Sequence, residues 1–446
     1  MTKPNIIWIF GDQHRAQALG YRGDPNLCTP NLDLLASQGV SLDRALTNAP
    51  LCCPARGSLL TGLHTHQATR GHEVLLDPEI PTVADAFKEH GYHTAWFGKW
   101  HLDGYKEKQG RAAFHIVPKE RRGGFDTWIG YENNNSAFDS WVHGHDGEEA
   151  AELQRLPGYE TDALTDRFIQ HLEKRAATGD SEAAVQPFFA SLSVQPPHDP
   201  YVAPDKWMAG KSAGRIVFRP NVPEVDRVRE QAARELSGYY AAIENLDWNV
   251  GRIVEALDRL GLYSNTHIIF FSDHGDMHGS QGQFRKTNPY EESIRVPMII
   301  SGVSRFYGLR SGPCQTLASI VDIAPTSLGL CGLPVPAAML GRDLSAVRLA
   351  NVPAVEEPES AFIQLVEATR HGDSTDRPWR GVVTDDGWKY VCLEGQPWLM
   401  FNLGEDPYEQ VNLAHNTRFR VQRNRLHDYL KQWIEKTGDT FELPVI

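Results

Sequence analysis

The segment from residue 48 to residue 62 carries the most distinctive chemistry in the chain and reads N-A-P-L-C-C-P-A-R-G-S-L-L-T-G. Cys52, Pro54 and Arg56 stand in the order C-x-P-x-R. The run that starts at Arg56 predicts a helix whose positive N-terminal end faces Cys52. The guanidinium of Arg56 presents a fixed fork of donors, which suits an anion. The simpler interpretation is that Cys52 and Cys53 are small buried hydrophobic residues.

Polar residues follow several predicted strands at the points where those strands end. The apolar runs 5–10, 94–98, 188–194 and 267–272 indicate buried strands, the first of them in a parallel sheet. Open α/β sheets bind their ligands at the carboxyl ends of the strands. The polar residues that follow these runs, and that are candidates for one site, are Asp12, Gln13, Lys99, His101, His198, Asp273 and His274.

These motifs resemble those of the type I, formylglycine-dependent sulfatases of the alkaline-phosphatase superfamily. Besides C-x-P-x-R, the similar segments are G-K-W-H-L at 98–102, S-D-H-G-D at 272–276 and the continuation K-x-x-x-Y-E-E-S-x-R-V-P from Lys286. A segment from Phe401 resembles the C-terminal signature F-N-L-x-x-D-P-x-E-x-x-N-L. The motifs occur in the family's order and span nearly the whole chain.

The resemblance implies that a separate formylglycine-generating enzyme oxidises Cys52 to an aldehyde. A hydrated aldehyde carries two hydroxyls, one to attack sulfur and one to expel the group afterwards. Arg56 would orient the hydrate, and Cys53 would fill a variable position. Lys99 would bridge the nucleophile and the substrate oxyanion. His101 would be the base that releases sulfate, because an imidazole titrates near neutrality.

The resemblance also implies a group that protonates the leaving alcohol and a second lysine. His198, in an H-x-P context, would contact the bridging oxygen, and its flanking prolines would stiffen the loop. Lys286 would neutralise the transferred anion beside Lys99. Asp276 and His278 would be supporting residues.

One divalent metal ion is implied beside the modified Cys52. The family usually offers two adjacent aspartates at the end of the first strand, whereas this chain has Asp12 and Gln13. Gln13 can coordinate through oxygen but brings no charge. Asp273 and His274 would complete the site. The family favours Ca²⁺, but an imidazole beside only two aspartates tilts the site towards Mn²⁺ or Mg²⁺.

The expected fold is α/β, with a large mixed, mostly parallel sheet sandwiched by helices. Residues 1–345 would form the catalytic domain, and residues 346–446 a smaller subdomain with an antiparallel sheet and one helix. Short strands near 362–365, 381–384, 388–392 and 398–402 and a final helix from about residue 418 to 436 predict that subdomain.

Residues 105–158 read as an irregular lid or specificity loop. Trp141, His143 and His145 in it either touch the leaving group or only pack. The basic cluster of Lys119, Arg121 and Arg122 is typical of a solvated face and is left without a role.

Composition excludes some partners. The net charge of -13 and the absence of a long basic run disfavour nucleic acid. No run reaches the length of a membrane span, and the N-terminus lacks the pattern of a signal peptide. Six cysteines without a framework fit a reducing compartment. We therefore expect a cytoplasmic location.

The predicted activity is hydrolysis of a small-molecule or saccharide sulfate monoester to an alcohol and inorganic sulfate. An alternative with the same nucleophile is a phosphonate monoester or phosphodiester hydrolase, whose metal-site pairs are similar. A more remote alternative is an inert anion-binding relative. No residue in the sequence distinguishes between sugar, aryl and choline esters. The sequence does not define an oligomeric state either.

Overall fold

The computed structural model describes residues 3–177, 186–304, 308–354, 356–369, 375 and 377–446. Most of the described strands belong to one large sheet. Its strands are β1 (Asn5–Gly11), β2 (Val40–Leu46), β3 (His93–Lys99), β4 (Thr127–Tyr131), β5 (Trp141–Asp146), β6 (Glu149–Arg155), β7 (Phe188–Val194), β8 (Asn265–Ser272), β9 (Met298–Ser304) and β10 (Gly312–Ser319).

The helices lie mainly on the two faces of this sheet. They are α1 (Pro30–Gln38), α2 (Cys52–Thr61), α3 (Val83–Glu89), α4 (Glu160–Ala177), α5 (Asp205–Met208), α6 (Asp226–Arg259), α7 (Glu291–Ile294), α8 (Ile323–Leu330) and α9 (Arg420–Thr437). Within the described ranges, no helix has both the length and the apolar character needed to cross a bilayer.

The order of the strands confirms the predicted mixed, mostly parallel sheet. It runs β10-β2-β9-β8-β1-β7-β3-β4-β5-β6. Strand β1 pairs in parallel with both β7 and β8, and β3 pairs in parallel with β7 and β4. Strands β9, β5 and β6 run antiparallel to their neighbours. The carboxyl ends of β1, β3, β7 and β8 therefore meet at one edge.

Side chains along the buried strands point alternately to the two faces of the sheet, and each face has its own hydrophobic core. All seven residues of β1 are buried, as expected for a strand covered on both sides. Trp8 and Phe10 pack with residues of α2, α3 and α8 in one core. Ile7 and Ile9 pack with residues of α1, α4 and α6 in the other. The sheet is thus sandwiched between helices, as predicted.

The prediction of an irregular segment at 105–158 is wrong for its second half. Strands β4, β5 and β6 lie there and extend the large sheet. These strands are short and contain glycines and polar residues, so their local pattern is weak. They form by successive pairing: β4 pairs with β3, β5 with β4 and β6 with β5.

Both His143 and His145 on β5 are buried and hydrogen-bonded within the protein, which favours the packing alternative. His143 Nε2 accepts a hydrogen bond of 2.9 Å from the Val117 N–H. His145 lies 3.0 Å from the Phe125 carbonyl oxygen and 2.8 Å from Arg122. Arg122 is consequently buried and does not form part of the solvated face that its sequence pattern indicated.

A separate antiparallel sheet occupies the C-terminal part. It consists of β11 (Ser360–Leu365), β12 (Trp379–Thr384), β13 (Trp388–Leu393) and β14 (Gln396–Asn402), paired in that order. Helix α9 packs on it. This arrangement is the predicted one, while the domain boundary at residue 345 stays a prediction.

Buried contacts join the small sheet to the loop that carries Lys286 and to helix α7, which follows that loop. The Trp379 indole N–H donates to the Thr287 carbonyl oxygen at 2.9 Å. Lys389 donates to a carboxylate oxygen of Glu291 at 2.8 Å and pairs with Glu409 at 2.5 Å. The small sheet therefore helps to fix the position of Lys286.

The buried histidine His267 should make the stability of the fold sensitive to acid. Burial, with a smaller effect of Arg348, lowers the pKa of His267 to about 4. The unfolded chain takes up this proton first, so stability is lost as the pH falls from about 6.5 towards 4. We expect His267→Leu to reduce that loss by up to about 1.4 kcal/mol per pH unit.

Urea unfolding measured at several pH values checks this expectation. The matched control is His415→Leu, because His415 is exposed. Equal acid sensitivity of the wild type and His267→Leu would contradict the prediction.

Candidate active site

Cys52 is the first residue of α2, and this places it at the positive end of the helix. Its sequence predicted a helix opening at Arg56, but the helix begins at Cys52. Pro54 does not prevent this, because proline is tolerated in a first helical turn. Every residue of α2 is buried. The Cys52 side chain is thus held on a rigid, water-excluded element.

Side chains from the ends of β1 and β8 surround Cys52. Its sulfur lies 3.4 Å from Asp12 Oδ1 and 3.1 Å from His274 Nε2. One ligand atom each from Asp12, Cys52, Asp273 and His274 can be chosen so that all lie within 4.8 Å of one another. All four residues are buried. We call these four residues the carboxylate cluster.

The donors of the carboxylate cluster fit a divalent cation. His274 Nδ1 lies 3.0 Å from the Gly275 carbonyl oxygen, which can only accept, so the ring donates there and directs the lone pair of Nε2 at the cluster. Burial lowers the pKa of His274, which keeps this ring neutral. Two carboxylates and a neutral imidazole are ordinary ligands of such ions.

Arg56 forms ion pairs with both Asp12 and Asp273. Its Nε lies 3.1 Å from Asp273 Oδ2, and its Nη2 lies 3.3 Å from Asp12 Oδ2. Nη1 donates to the Lys99 carbonyl oxygen at 2.9 Å and to Ser193 Oγ at 2.8 Å. Arg56 has no exposed surface. The guanidinium therefore positions both carboxylates and the end of β3.

Lys99 places a second positive charge beside Asp12. Lys99 Nζ is 2.7 Å from Asp12 Oδ2. Burial alone raises the pKa of the Asp12 carboxyl, but Lys99, His198 and Arg56 outweigh it and hold the pKa well below its ordinary value. Asp12 is therefore ionised.

Lys286 contributes a third cation, in contact with Cys52. Its Nζ lies 3.2 Å from the Cys52 sulfur and donates to Gln13 Oε1 at 2.8 Å. Burial favours the neutral amine, but Cys52, Asp12 and Asp199 outweigh burial and raise the pKa of Lys286. The ammonium stays charged next to the candidate nucleophile.

His198 lies against Lys286. Its Nε2 is 2.8 Å from Lys286 Nζ. Its Nδ1 is 2.7 Å from the Asp199 carbonyl oxygen, so this nitrogen carries the hydrogen. Lys286 therefore donates to His198 and also contacts the Cys52 sulfur.

Gln13 is fixed by residues that the sequence did not connect with it. Its side-chain amide donates to Tyr201 Oη at 3.1 Å and to the Asp276 carboxylate. Its φ of 70° is left-handed, and its N–H donates to Asp273 Oδ1 at 3.1 Å. Asp276 thus has the supporting position that was expected. Coordination of a cation by Gln13 stays a prediction.

His101 lies apart from this hydrogen-bond network. Among the described residues, neither ring nitrogen has a hydrogen-bond partner, although the side chain is buried. Burial, reinforced by Lys99 and His72, holds the pKa of His101 well below its ordinary value. The ring is neutral and keeps a lone pair, as a base requires. Its lowered pKa differs from the near-neutral titration on which the sequence prediction relied, because burial disfavours the charged imidazole.

Glu132 is a positioning residue that sequence reasoning missed. It follows β4 and is buried. Its carboxylate accepts hydrogen bonds from the N–H groups of Leu102 at 3.1 Å, Asp103 at 3.0 Å and Tyr105 at 3.4 Å. These bonds fix the turn that follows His101, whose own φ is 59°. No sequence signal links Glu132 to that turn, because its partners are backbone groups.

The structure thus brings most predicted site residues into one connected network at the sheet edge. The network contains Asp12, Gln13, Cys52, Arg56, Lys99, His198, Asp273, His274 and Lys286. His101 lies beside it. The catalytic roles of these residues stay predictions.

Comparisons with known proteins agree with this geometry. Residues 4–333 match the family described as Sulfatase, and residues 279–436 match the family described as N-sulphoglucosamine sulphohydrolase, C-terminal. An ulvan-active sulfatase of Formosa agariphila is 35% identical over 450 residues, which cover 99% of this chain and 83% of the relative. An endo-4-O-sulfatase of Bacteroides thetaiotaomicron is 30% identical over 466 residues, which cover 92% and 88%.

A solved structure extends the likeness to the fold. The YidJ protein of Bacteroides fragilis, described as a candidate sulfatase, has a TM-score of 0.86 at 28% identity and covers 99% of this chain and 98% of its own. The fold and the site together define a hydrolase of the alkaline-phosphatase superfamily. Within that superfamily the chain belongs to the sulfatase family, whose reaction is the hydrolysis of sulfuric esters.

A phosphonate monoester hydrolase of Agrobacterium radiobacter also shares the fold. Its TM-score is 0.75 at 21% identity, with 98% of this chain and 96% of its own covered. At this identity the likeness concerns the fold alone.

The position of Glu132 generates a prediction about pH. Burial, together with Asp103, raises the pKa of Glu132 to about 7 against the effect of its N–H donors. As the pH falls through about 7 the carboxylate is protonated, its acceptor strength drops and the turn after His101 loosens. We expect Glu132→Gln to lower kcat for a sulfate ester about tenfold with little change in KM.

The acid-side decline of kcat near neutrality should disappear in Glu132→Gln. A pH profile of both proteins measures this, with Glu148→Gln as the control, because that side chain is 98% exposed. An unchanged profile in Glu132→Gln would argue against the positioning role.

Proposed function

We propose that this protein hydrolyses a sulfate monoester of a saccharide with Cys52 matured to formylglycine. The observation that carries the proposal is the buried charge set around Cys52, with the cations Arg56, Lys99 and Lys286 opposite two carboxylates. An excess of positive charge in a water-excluded site favours a tetrahedral anion.

In the unmodified chain the Cys52 sulfur marks the place of the aldehyde oxygen. The hydrated aldehyde supplies one hydroxyl to attack sulfur and a second whose deprotonation expels sulfate. Lys286 contacts that position directly, and Lys99 lies beside it through Asp12, which contacts both Lys99 and Cys52. Both lysines neutralise the charge that grows on the sulfate oxygens, and the N-terminal end of α2 adds to this effect.

Two histidines divide the proton transfers. His198 lies 2.8 Å from Lys286 Nζ. The His198 ring gives a proton to the departing alkoxide oxygen, while the Lys286 ammonium keeps its charge beside the sulfate oxygens. His101 is neutral and has a free lone pair. It takes the proton of the second hydroxyl, and this releases inorganic sulfate.

A divalent cation held by Asp12, Asp273 and His274, with Gln13 as a further oxygen ligand, would polarise the sulfate group and orient the hydrate. The resemblance to the family favours Ca²⁺. The His274 nitrogen admits Mn²⁺ or Mg²⁺. Arg56 holds both carboxylates in place for that ion.

A saccharide substrate is supported by the relatives and by the polar groups near His198. The relatives are named for ulvan and for an endo-4-O-sulfatase activity. Gln195, close to His198 in the chain, donates to Asn135 Oδ1 at 2.9 Å. Asn135 is exposed, and Asn133 and Glu107 are bonded to each other nearby. Amide and carboxylate groups of this kind bind sugar hydroxyls.

The alternative is hydrolysis of phosphonate monoesters, whose transferred group has a similar shape and charge. It uses the same residues in the same roles. An inert anion-binding relative is a third candidate, but it does not explain a neutral His101 beside a complete set of cations.

Maturation and location complete the proposal. A formylglycine-generating enzyme must act on Cys52 before α2 is buried, because Cys52 is only 1% exposed in the folded chain. All six cysteines are unpaired, which supports a reducing, cytoplasmic compartment.

The central prediction concerns the mass and the selectivity of the matured protein. After expression with a formylglycine-generating enzyme, the peptide with Cys52 should have the mass of the aldehyde, and a saccharide sulfate ester should turn over faster than a phosphonate monoester. Cys52→Ala is the inactive control. Faster phosphonate turnover would favour the alternative, and a matured protein that turns over neither ester would favour the inert relative.

Removal of the metal gives a separate prediction. A chelator should abolish turnover, and Ca²⁺ should restore it. Asp273→Asn should raise the Ca²⁺ concentration needed by at least about tenfold. The matched control is Asp43→Asn. Asp43 lies on the partly exposed part of β2, and its carboxylate pairs with Arg22. Full turnover after chelation would contradict a metal-dependent reaction.

A further inference from the structure

Cys53, the neighbour of the proposed nucleophile, lies in a cluster of its own with His72 and His101. One ligand atom of each can be chosen so that all three lie within 4.8 Å of one another. The Cys53 sulfur is 3.9 Å from His72 Nδ1, and the His72 and His101 rings meet edge to face with centroids 5.5 Å apart. A thiol and two imidazoles are the donors that Zn²⁺ prefers.

The His101 ring supplies an independent reason to expect a ligand. It is 3% exposed, and both of its nitrogens lack a hydrogen-bond partner among the described residues. Polar atoms that are buried without a partner carry a free-energy cost. A cation bound to one nitrogen removes part of that cost.

The surroundings of Cys53 suit a metal-bound sulfur. The Glu73 N–H donates to the Cys53 sulfur at 3.4 Å, and Glu73 adopts a φ of 52° there. Hydrogen bonds from the backbone to a ligand atom are typical of metal sites. Cys53 is buried, whereas the His72 side chain is 24% exposed. A cation can therefore enter past His72.

We propose that Cys53, His72 and His101 form a second metal site, which binds Zn²⁺ or a similar thiophilic cation and thereby inhibits the enzyme. Coordination releases the thiol proton of Cys53 to solvent and occupies the lone pair of His101. Tetrahedral zinc bonds place ligand atoms roughly 3.3–3.6 Å apart. Shifts of about an ångström close the observed cluster to that size. Only the inhibition rests on the proposed function; the binding does not.

Titration with Co²⁺ tests the binding directly. The full chain, matured and supplied with excess Ca²⁺ for the carboxylate cluster, should develop a thiolate-to-cobalt charge-transfer absorption that Zn²⁺ removes. Cys52→Ala should retain this absorption, which excludes Cys52 as its source. Cys53→Ser should lose it, and His72→Gln should weaken the binding by more than about tenfold. Cys331→Ser, at another buried cysteine, is the control for folding and should behave like the wild type.

Inhibition by Zn²⁺ tests the consequence. Zn²⁺ should inhibit sulfate ester hydrolysis by the wild type. Cys53→Ser and His72→Gln should keep their turnover in its absence but need more than about tenfold higher Zn²⁺ for the same inhibition. Equal inhibition of all three proteins would place Zn²⁺ in the carboxylate cluster and overturn the proposal, as would a wild type without the cobalt absorption. If the protein turns over no ester, the cobalt titration still decides the binding, so the two failures are distinguishable.

Discussion

The burial of Arg56 between two carboxylates is the interaction on which the rest of the site depends. Asp12, Asp273 and Arg56 have no exposed surface. Each buried ion on its own would cost several kcal/mol, and removal of one partner leaves the others uncompensated. The three charges are therefore stable only together. Their geometry requires that β1 and β8 are neighbours and that the first turns of α2 lie at the carboxyl ends of these strands.

The same constraint explains the character of the site. Because β1 is covered on both faces, water is excluded at its carboxyl end and charges interact strongly there. Lys99 and Lys286 add positive charge to the group formed by Arg56 and the two aspartates. The site is consequently arranged for an anion before any ligand binds, and preorganisation of this kind lowers the barrier for charge transfer. The neutral His101 and His274 fit the same picture, since burial disfavours charged imidazoles.

The sequence predicted those parts of the site that depend on local pattern. Asp12 and Asp273 were predicted from the apolar runs that precede them. In a parallel sheet, residues that follow such strands lie at the same edge, so the direction of the strands was sufficient to bring the two aspartates together. The start of α2 was missed by four residues, because the helix begins at Cys52 and not at Arg56. Strands β4 to β6 were missed because tertiary pairing stabilises them. Glu132 acts on backbone N–H groups, and the contact between Cys53 and His72 depends on a turn, so neither leaves a trace in the pattern.

The most direct measurement is a crystal structure of the matured protein soaked with inorganic sulfate and Ca²⁺. We expect the aldehyde or its hydrate at residue 52, a cation bound by Asp12, Asp273 and His274, and sulfate oxygens within hydrogen-bond distance of Lys99 and Lys286. Sulfate bound elsewhere, with Asp12 and Asp273 still paired only to Arg56 and the lysines, would contradict the account.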